Sequence, residues 1–333
     1  MESRAGLSAK ELNPNYGNGR HAIGADDPLL VAQLDLDRRI DEAFSSPRYR
    51  PPVLPAVAVE LMSVANSPDV NVRAVVALLE KDPVLATGVL KLVRSPLHRG
   101  TAEVRSLKEA VVRLGLQNVR DVALEAAMNA RIFRSPLYSE LMADLAMHSR
   151  ATAHVARIVC RYVTWDAEYA FLCGLIHDVG IVSSLLVLNE LPRGSAQLGL
   201  DVVVPSVVHD HEQRAELVAR AWGMPDEVVW VIGHHHHLRN GTHVHPLSAI
   251  ICVAEFVATR MGFAPFKSVD PRASGGPLTA AVGHDETPPM QMKLAVETLG
   301  LSKQAFYQIV QDAQRALPTP SRAAAATAQA STN

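Results

Sequence analysis

Apolar residues recur at helical spacing through most of the chain. Val72, Val75, Val76 and Leu79 stand at i, i+3, i+4 and i+7, and Leu107, Ala110, Val111 and Leu114 repeat the pattern. Each set draws one apolar stripe along a helix that buries a single face. Leu29 to Phe44 reads the same way, ahead of Arg48-Tyr49-Arg50-Pro51-Pro52, where two prolines and the restricted residue before them stop a helix. Ser106 with Glu109 three residues on is a capping box, and Asn71 is placed to cap the helix that follows it. Breaks at Ser67-Pro68, Asp82-Pro83, Ser95-Pro96 and Gly115 divide the stretch from Leu54 to Phe133 into helices of ordinary length, and nothing in it alternates like a strand. A second helical stretch runs from Ser135-Pro136 to Gly262. A Pro/Gly/Ser-rich stretch from Ala264 to Pro289 reads as a mobile loop, and Met292 to Leu317 as one closing amphipathic segment.

The pattern predicts an all-α protein. Residues 1–47 form a loose tail and a helix, 48–134 a first helical half, 135–262 a second half that carries most of the histidines, 263–290 the loop, 291–318 the closing segment and 319–333 an Ala/Thr/Ser tail.

Composition narrows the class. With 333 residues, 48% hydrophobic and 20% charged, the chain has ample material for a globular core, and a formal net charge of -2 offers no basic surface for nucleic acid. Cys160, Cys173 and Cys252 form no CxxC pair, which fits a reducing cytoplasm. Glu2, Arg4, Lys10 and Glu11 stand where a secretory leader needs an apolar run. No uncharged stretch reaches the roughly 18 residues of a membrane span, so no membrane partner is expected.

Helical geometry sorts the histidines. His148 shares a stripe with Leu141, Leu145, Thr152, Val155 and Val159, and so faces the core. His177 and Asp178 lie inside the apolar helical run Gly174-Leu175-Ile176-His177-Asp178-Val179-Gly180. His211 is on the face of Ala215, Val218 and Trp222, whereas His209 is on the polar face. The stripe of Val228 and Ile232 leads to His235, with His236 to its side and His234 and His237 toward solvent; Glu255 follows Ile251 on a mostly buried face. The six core-directed residues are His148, His177, Asp178, His211, His235 and Glu255. Imidazole and carboxylate suit Mn, Fe, Zn or Mg in a mixed nitrogen/oxygen site, which would serve metal-assisted phosphoester hydrolysis. The alternative is a set of hydrogen-bonded structural residues, since buried polar groups as a rule find partners. The run at 234–237 with His243 and His245 also reads as a solvated helix end that binds metal weakly.

Pro52-Val53-Leu54-Pro55-Ala56-Val57, Lys81-Asp82-Pro83-Val84-Leu85-Ala86 and Ser106-Leu107-Lys108-Glu109-Ala110-Val111 with Leu114-Gly115-Leu116 resemble the first half of the HDOD domain, the HD-related output domain of bacterial signalling proteins. Met147-His148-Ser149, the run from Ala170 to Gly180, Asp210-His211-Glu212, Trp222-Gly223-Met224-Pro225 and the histidine run resemble its second half. The resemblance covers about residues 48 to 262. It implies an N-terminal helical subdomain packed on a degenerate HD subdomain, and a non-enzymatic regulatory module that works through a signalling partner. No receiver, GGDEF or EAL motif accompanies it.

The departures from the catalytic relatives bear on activity. HD-GYP phosphodiesterases commonly carry a lysine where this chain has Ile181, which cannot neutralise phosphoryl charge. Their GYP-type loop is absent, Leu238-Arg239-Asn240-Gly241-Thr242-His243 following instead, and their final aspartate is replaced by Glu255. In the first half, Arg94 and His98 replace the asparagine and tyrosine of an HDOD loop. With Arg99, Arg105 and Lys108 they form a small basic patch, read either as a solvated loop or as a seat for an acidic partner or a nucleotide phosphate. Two functions stay open. One is a partner- or ligand-binding regulator with a vestigial metal site. The other is a metal-dependent phosphohydrolase acting on a nucleotide or cyclic dinucleotide, in which Asp178 would orient the attacking water.

Overall fold

The stripes become helices in the computed structural model, which describes residues 27–54, 60, 72–93, 104, 106–164, 169–191, 198–266 and 289–317. The first helix, α1 (Pro28–Ser45), is capped by Asp27 and buries Leu36, Ile40 and Phe44. Helices α2 (Val72–Glu80), α3 (Pro83–Val93) and α4 (Leu107–Arg131) follow. Ser106 accepts a hydrogen bond from the Glu109 amide at 3.1 Å, the expected cap for α4. Gly115 bends α4 from within, at φ 76° and ψ 159°, a backbone conformation that glycine adopts without steric cost. Asn71, the basic patch of Arg94, His98, Arg99 and Arg105, and the segments expected as tails and loop at 1–26, 267–288 and 318–333 lie outside the described residues.

The second half runs α5 (Ser139–Val159), α6 (Ala170–Ile176), α7 (Val179–Glu190), α8 (Leu200–Val208), α9 (His211–Ala221), α10 (Asp226–Ile232) and α11 (Pro246–Arg260). A two-residue hairpin, β1 (Arg239–Asn240) with β2 (His243–Val244), interrupts it, pairing Arg239 with Val244 around Gly241 at φ 61°. The molecule is all-α apart from that hairpin among the described residues. Helix α5 packs on α6 and α11, α7 on α9, and α1 on α8.

Two expectations need correction. Met292 to Leu317 is two helices, α12 (Pro289–Thr298) and α13 (Lys303–Ala316). Gly300 at φ 62° ends the first, and Ser302 caps the second by accepting from the Ala305 amide, so the continuous amphipathic pattern hid a turn. His177 and Asp178 lie between helices rather than within one. His177 closes α6 and Asp178, at φ -92° and ψ 16°, opens α7. Ala170–Glu190, with a mean hydropathy of 2.0, is long and apolar enough to cross a membrane, but 94% of its apolar window is buried inside the fold. It is the core of the second half.

The buried apolar residues form two clusters. The larger joins α1, Leu85 of α3, the C-terminal part of α4, all of the second half, and α12 and α13. The smaller, around Val75, Leu79, Val89, Val93, Val111 and Val119, belongs to α2, α3 and the N-terminal part of α4.

Candidate metal centre

Two glycines let the helices that carry the centre approach closely. A Cβ on Gly174 would lie 2.7 Å from Ala153 Cα, so α6 meets α5 backbone to backbone and brings His177 beside His148. A Cβ on Gly180 would lie 1.9 Å from the His211 carbonyl oxygen and 2.7 Å from the Ala215 nitrogen, so α7 meets α9 just as closely and brings Asp178 beside His211. Asp210, in the left-handed region at φ 54°, turns the chain so that His211 is the first residue of α9. His235 lies in the turn after α10, and Glu255 on α11.

These six side chains converge in a buried cluster. His148 and His177 are 0% exposed, His235 1%, Asp178 3%, and His211 and Glu255 5%. Each histidine sets its Nδ1 against a backbone carbonyl: His148 on Phe263 at 2.7 Å, His177 on Gly174 at 3.0 Å, His211 on Val208 at 2.7 Å and His235 on Ile232 at 2.7 Å. A carbonyl only accepts, which assigns a proton to Nδ1 in all four rings and makes Nε2 the acceptor atom of each ring when the imidazole is neutral. Those atoms face each other. The Nε2 atoms of His148 and His177 are 3.2 Å apart, and so are those of His211 and His235.

Asp178 stands between the two pairs. Its Oδ2 is 3.6 Å from His148 Nε2 and 3.3 Å from His177 Nε2, and its Oδ1 is 3.8 Å from His211 Nε2 and 3.6 Å from His235 Nε2. Donor atoms of His148, His177 and Glu255 lie within 4.8 Å of one another, as do those of His211, His235 and His236, and those of His177, Asp178 and His235. Two imidazoles bound to one ion at a metal–nitrogen length of about 2.1 Å are about 3.0–3.4 Å apart. The residues present would therefore fit divalent metal, with the two histidine pairs and the Asp178 carboxylate as the groups that would hold it.

The electrostatics call for positive charge at the same place. Burial alone would raise Asp178, but the charge and hydrogen bond of His177, with His235 and His148, hold its carboxyl well below the usual range. Burial alone would lower His235, yet Asp178, Glu212 and Glu255 push it up to about 9. Burial raises Glu255 against the pull of His177 and His235.

Sequence reasoning set His236 to one side and passed over Glu212. The His236 ring lies 4.2 Å from that of His235, and its Nδ1 is 4.0 Å from Glu255 Oε2. Glu212 accepts from the His236 amide at 2.8 Å and from His237 Nδ1 at 2.9 Å, pinning the histidine turn. Its place directly after His211 was the available signal. His237 is exposed as expected. His234 is instead half-buried, its ring stacked on Trp230 at 4.9 Å, because the apolar face of an imidazole packs well on an indole. Ile181 points into the core at 1% exposure.

An all-helical fold that gathers histidines from several helices around an His-Asp pair is of the HD-like class. The chain belongs to the HDOD domain family, whose sequence profile matches residues 52–238, more than half of its length. It is 27% identical over 198 residues to an uncharacterized protein of Treponema pallidum (strain Nichols), a match that covers 56% of this chain and 38% of that protein. The crystal structure of a candidate metal-dependent phosphohydrolase from Shewanella amazonensis SB2B aligns with a TM-score of 0.56 at 19% identity, over 80% of this chain and 99% of the other. An HDOD domain protein of unknown function from Geobacter sulfurreducens aligns with a TM-score of 0.55 at 21% identity, over 86% and 99% of the two chains. Both likenesses establish the fold. Glu255, Phe263 and helix α1 lie outside the matched residues.

Proposed function

We propose that the protein is a signalling regulator whose HDOD domain binds a partner, and that its buried centre holds two divalent metal ions. The observation that carries the metal is the double pair of facing Nε2 atoms, each 3.2 Å apart, on opposite oxygens of Asp178. Facing Nε2 atoms at that distance in a dry interior call for shared positive charge, the same demand that pushes His235 up to about 9, and a divalent cation would meet it at both pairs. His148, His177 and Glu255 would hold one ion, His211, His235 and His236 the other, and Asp178 both. The regulatory reading rests on closure: no ligand exceeds 5% exposure apart from half-buried His236, and aliphatic Ile181 stands where a phosphate-binding lysine would serve.

The second reading is phosphoester hydrolysis of a nucleotide or cyclic dinucleotide, favoured by the bridging carboxylate. When bound, a divalent pair supplies positive charge to a phosphoryl group and activates water. Asp178 would then position that water, and the carbonyl-locked imidazoles would keep the ligand geometry fixed. Protein purified without chelator is expected to carry about two equivalents of metal by elemental analysis, one for each triad. It is expected to show no turnover of nucleotides or cyclic dinucleotides with Mn or Fe present. Turnover that disappears in Asp178→Ala would establish the hydrolase instead, and metal-free protein that resists loading would leave the cluster structural.

A further inference from the structure

Outside the centre, the least expected buried group is a charge. Arg214 is 4% exposed on α9, one turn beyond His211. Its guanidinium joins four helices. Nη2 donates to Asp41 Oδ1 of α1 at 2.9 Å, while Nη1 donates to Ser184 Oγ of α7 and to the Ser206 carbonyl of α8, both at 3.2 Å. The guanidinium carbon lies 5.5 Å from the centre of the Phe44 ring, also of α1.

The two bonds of Nη1 lead toward residues of the centre. Ser184 passes its own proton to the Gly180 carbonyl at 2.8 Å, so a chain of two hydrogen bonds links Arg214 to the backbone two residues from Asp178. Ser206 lies two residues before Val208, whose carbonyl fixes the His211 tautomer. The close approach of Gly180 to the His211 carbonyl leaves no slack between α7 and α9 at that level. Three helix ends that carry the His211 side of the centre are thus referenced to one guanidinium. Asp41 is the only carboxylate bonded to that guanidinium among the described residues, and it is 54% exposed, on a helix outside the family match.

We infer that Arg214, with Asp41 as its counter-charge, is a positioning residue for the second metal site, and that α1 is thereby a working part of the centre. Seating α1 keeps α7, α8 and α9 in the register that aims His211 Nε2 and Asp178 Oδ1 at one point. Loss of the Asp41 charge frees a buried guanidinium to seek other partners and lets that register relax. The His148–His177 side, held through Gly174 and α5, is not referenced to Arg214. The inference rests on the two-metal reading, and its test separates the two.

Asp41→Asn is the informative variant, because the site is half exposed and the isostere fits. Arg214→Met gives the more severe change, Asp41→Glu the conservative rescue, and Asp35→Asn, on the exposed face of α1, the control. After chelation, cobalt(II) is titrated against a chromophoric chelator while the d–d spectrum is followed. In Asp41→Asn one of the two equivalents is expected to lose about tenfold or more in affinity, as outer-shell changes at metal sites do, with the other and the helical circular dichroism unchanged. Asp41→Glu should recover most of the loss. A second readout needs no metal: the His211 Nδ1–H proton resonance, expected to exchange slowly in the wild type because it is buried against the Val208 carbonyl, should broaden in Asp41→Asn. Wild-type cobalt affinities together with an unchanged His211 signal in Asp41→Asn would overturn the inference, as would equal weakening of both equivalents. If the wild type takes up no cobalt, the two-metal reading fails, and the His211 signal alone decides whether the positioning role stands.

Discussion

At the residue scale, one carboxylate organises four imidazoles, and a second holds the turn that carries one of them, His235. Glu212 is half-buried, and desolvation alone would raise its carboxyl, but the His237 hydrogen bond and the charges of His235, His211 and His237 hold it down to about 2. A depressed carboxyl stabilises the fold above its unfolded value of 4.5, and that contribution is lost as the pH falls through about 2. The size is about 1–3 kcal/mol once screening at the exposed His237 is allowed for. Glu212→Gln is therefore expected to lower stability at neutral pH by that amount. It should also flatten the decline between pH 4.5 and about 2 in denaturant titrations of chelator-treated protein. An acid limb as steep as that of the wild type would show that Glu212 is not the group responsible. Adjacency to His211 was legible in the sequence; that Glu212 reaches across to residues 236 and 237 was not, because those residues come from the far end of another helix.

At the element scale, the close meetings of α5 with α6 and of α7 with α9 decide the site. Both glycines sit in the run that carries the His-Asp pair, yet nothing in a single sequence says which backbone lies against them. Gly180→Ala places a Cβ where the His211 carbonyl oxygen already is, and backbone cannot step aside as a flexible side chain would. The substitution is expected to cost about 3 kcal/mol, the upper end for overpacking, and to lower metal uptake together with stability. A thermal melt within a degree or two of the wild type would mean that the two helices are not so closely seated. Gly115→Ala is the contrasting case, with open space around the Cβ and strain only from φ 76°, for about 1–3 kcal/mol and no effect on metal. Its value is as a control that destabilises without touching the centre.

At the scale of the whole molecule, the separate apolar clusters divide the chain's stability. The small cluster of α2, α3 and the start of α4 has few buried side chains, whereas the large one surrounds the centre on every side. Native-state hydrogen exchange is expected to open α2 and α3 at lower free energy than α5, α7 and α11. Metal is expected to raise the protection of the second group alone, because a ligand stabilises only what must unfold to release it. Equal protection throughout, rising together with metal, would show one cooperative unit instead. The family profile reaches into both clusters but leaves out α1 and α11 to α13, and Leu36, Ile40 and Phe44 of α1 join the large cluster from outside the match.

The sequence by itself determined the helical class, the helix caps at Ser106 and the stop at Pro51-Pro52, because helical period and capping are local. It also determined the inward direction of His148, His211 and Glu255, since burial of one helix face follows from the same period, whereas His177, Asp178 and His235 are buried from helix ends and turns. Tertiary structure alone decided that these residues meet at one carboxylate, that four carbonyls fix their tautomers, that the His-Asp pair lies at a helix junction, and that α1 reaches the centre through Arg214. Those are matters of which backbones approach within a few ångströms. Contacts across tens to more than a hundred residues are set by packing of the whole chain, which no local pattern encodes.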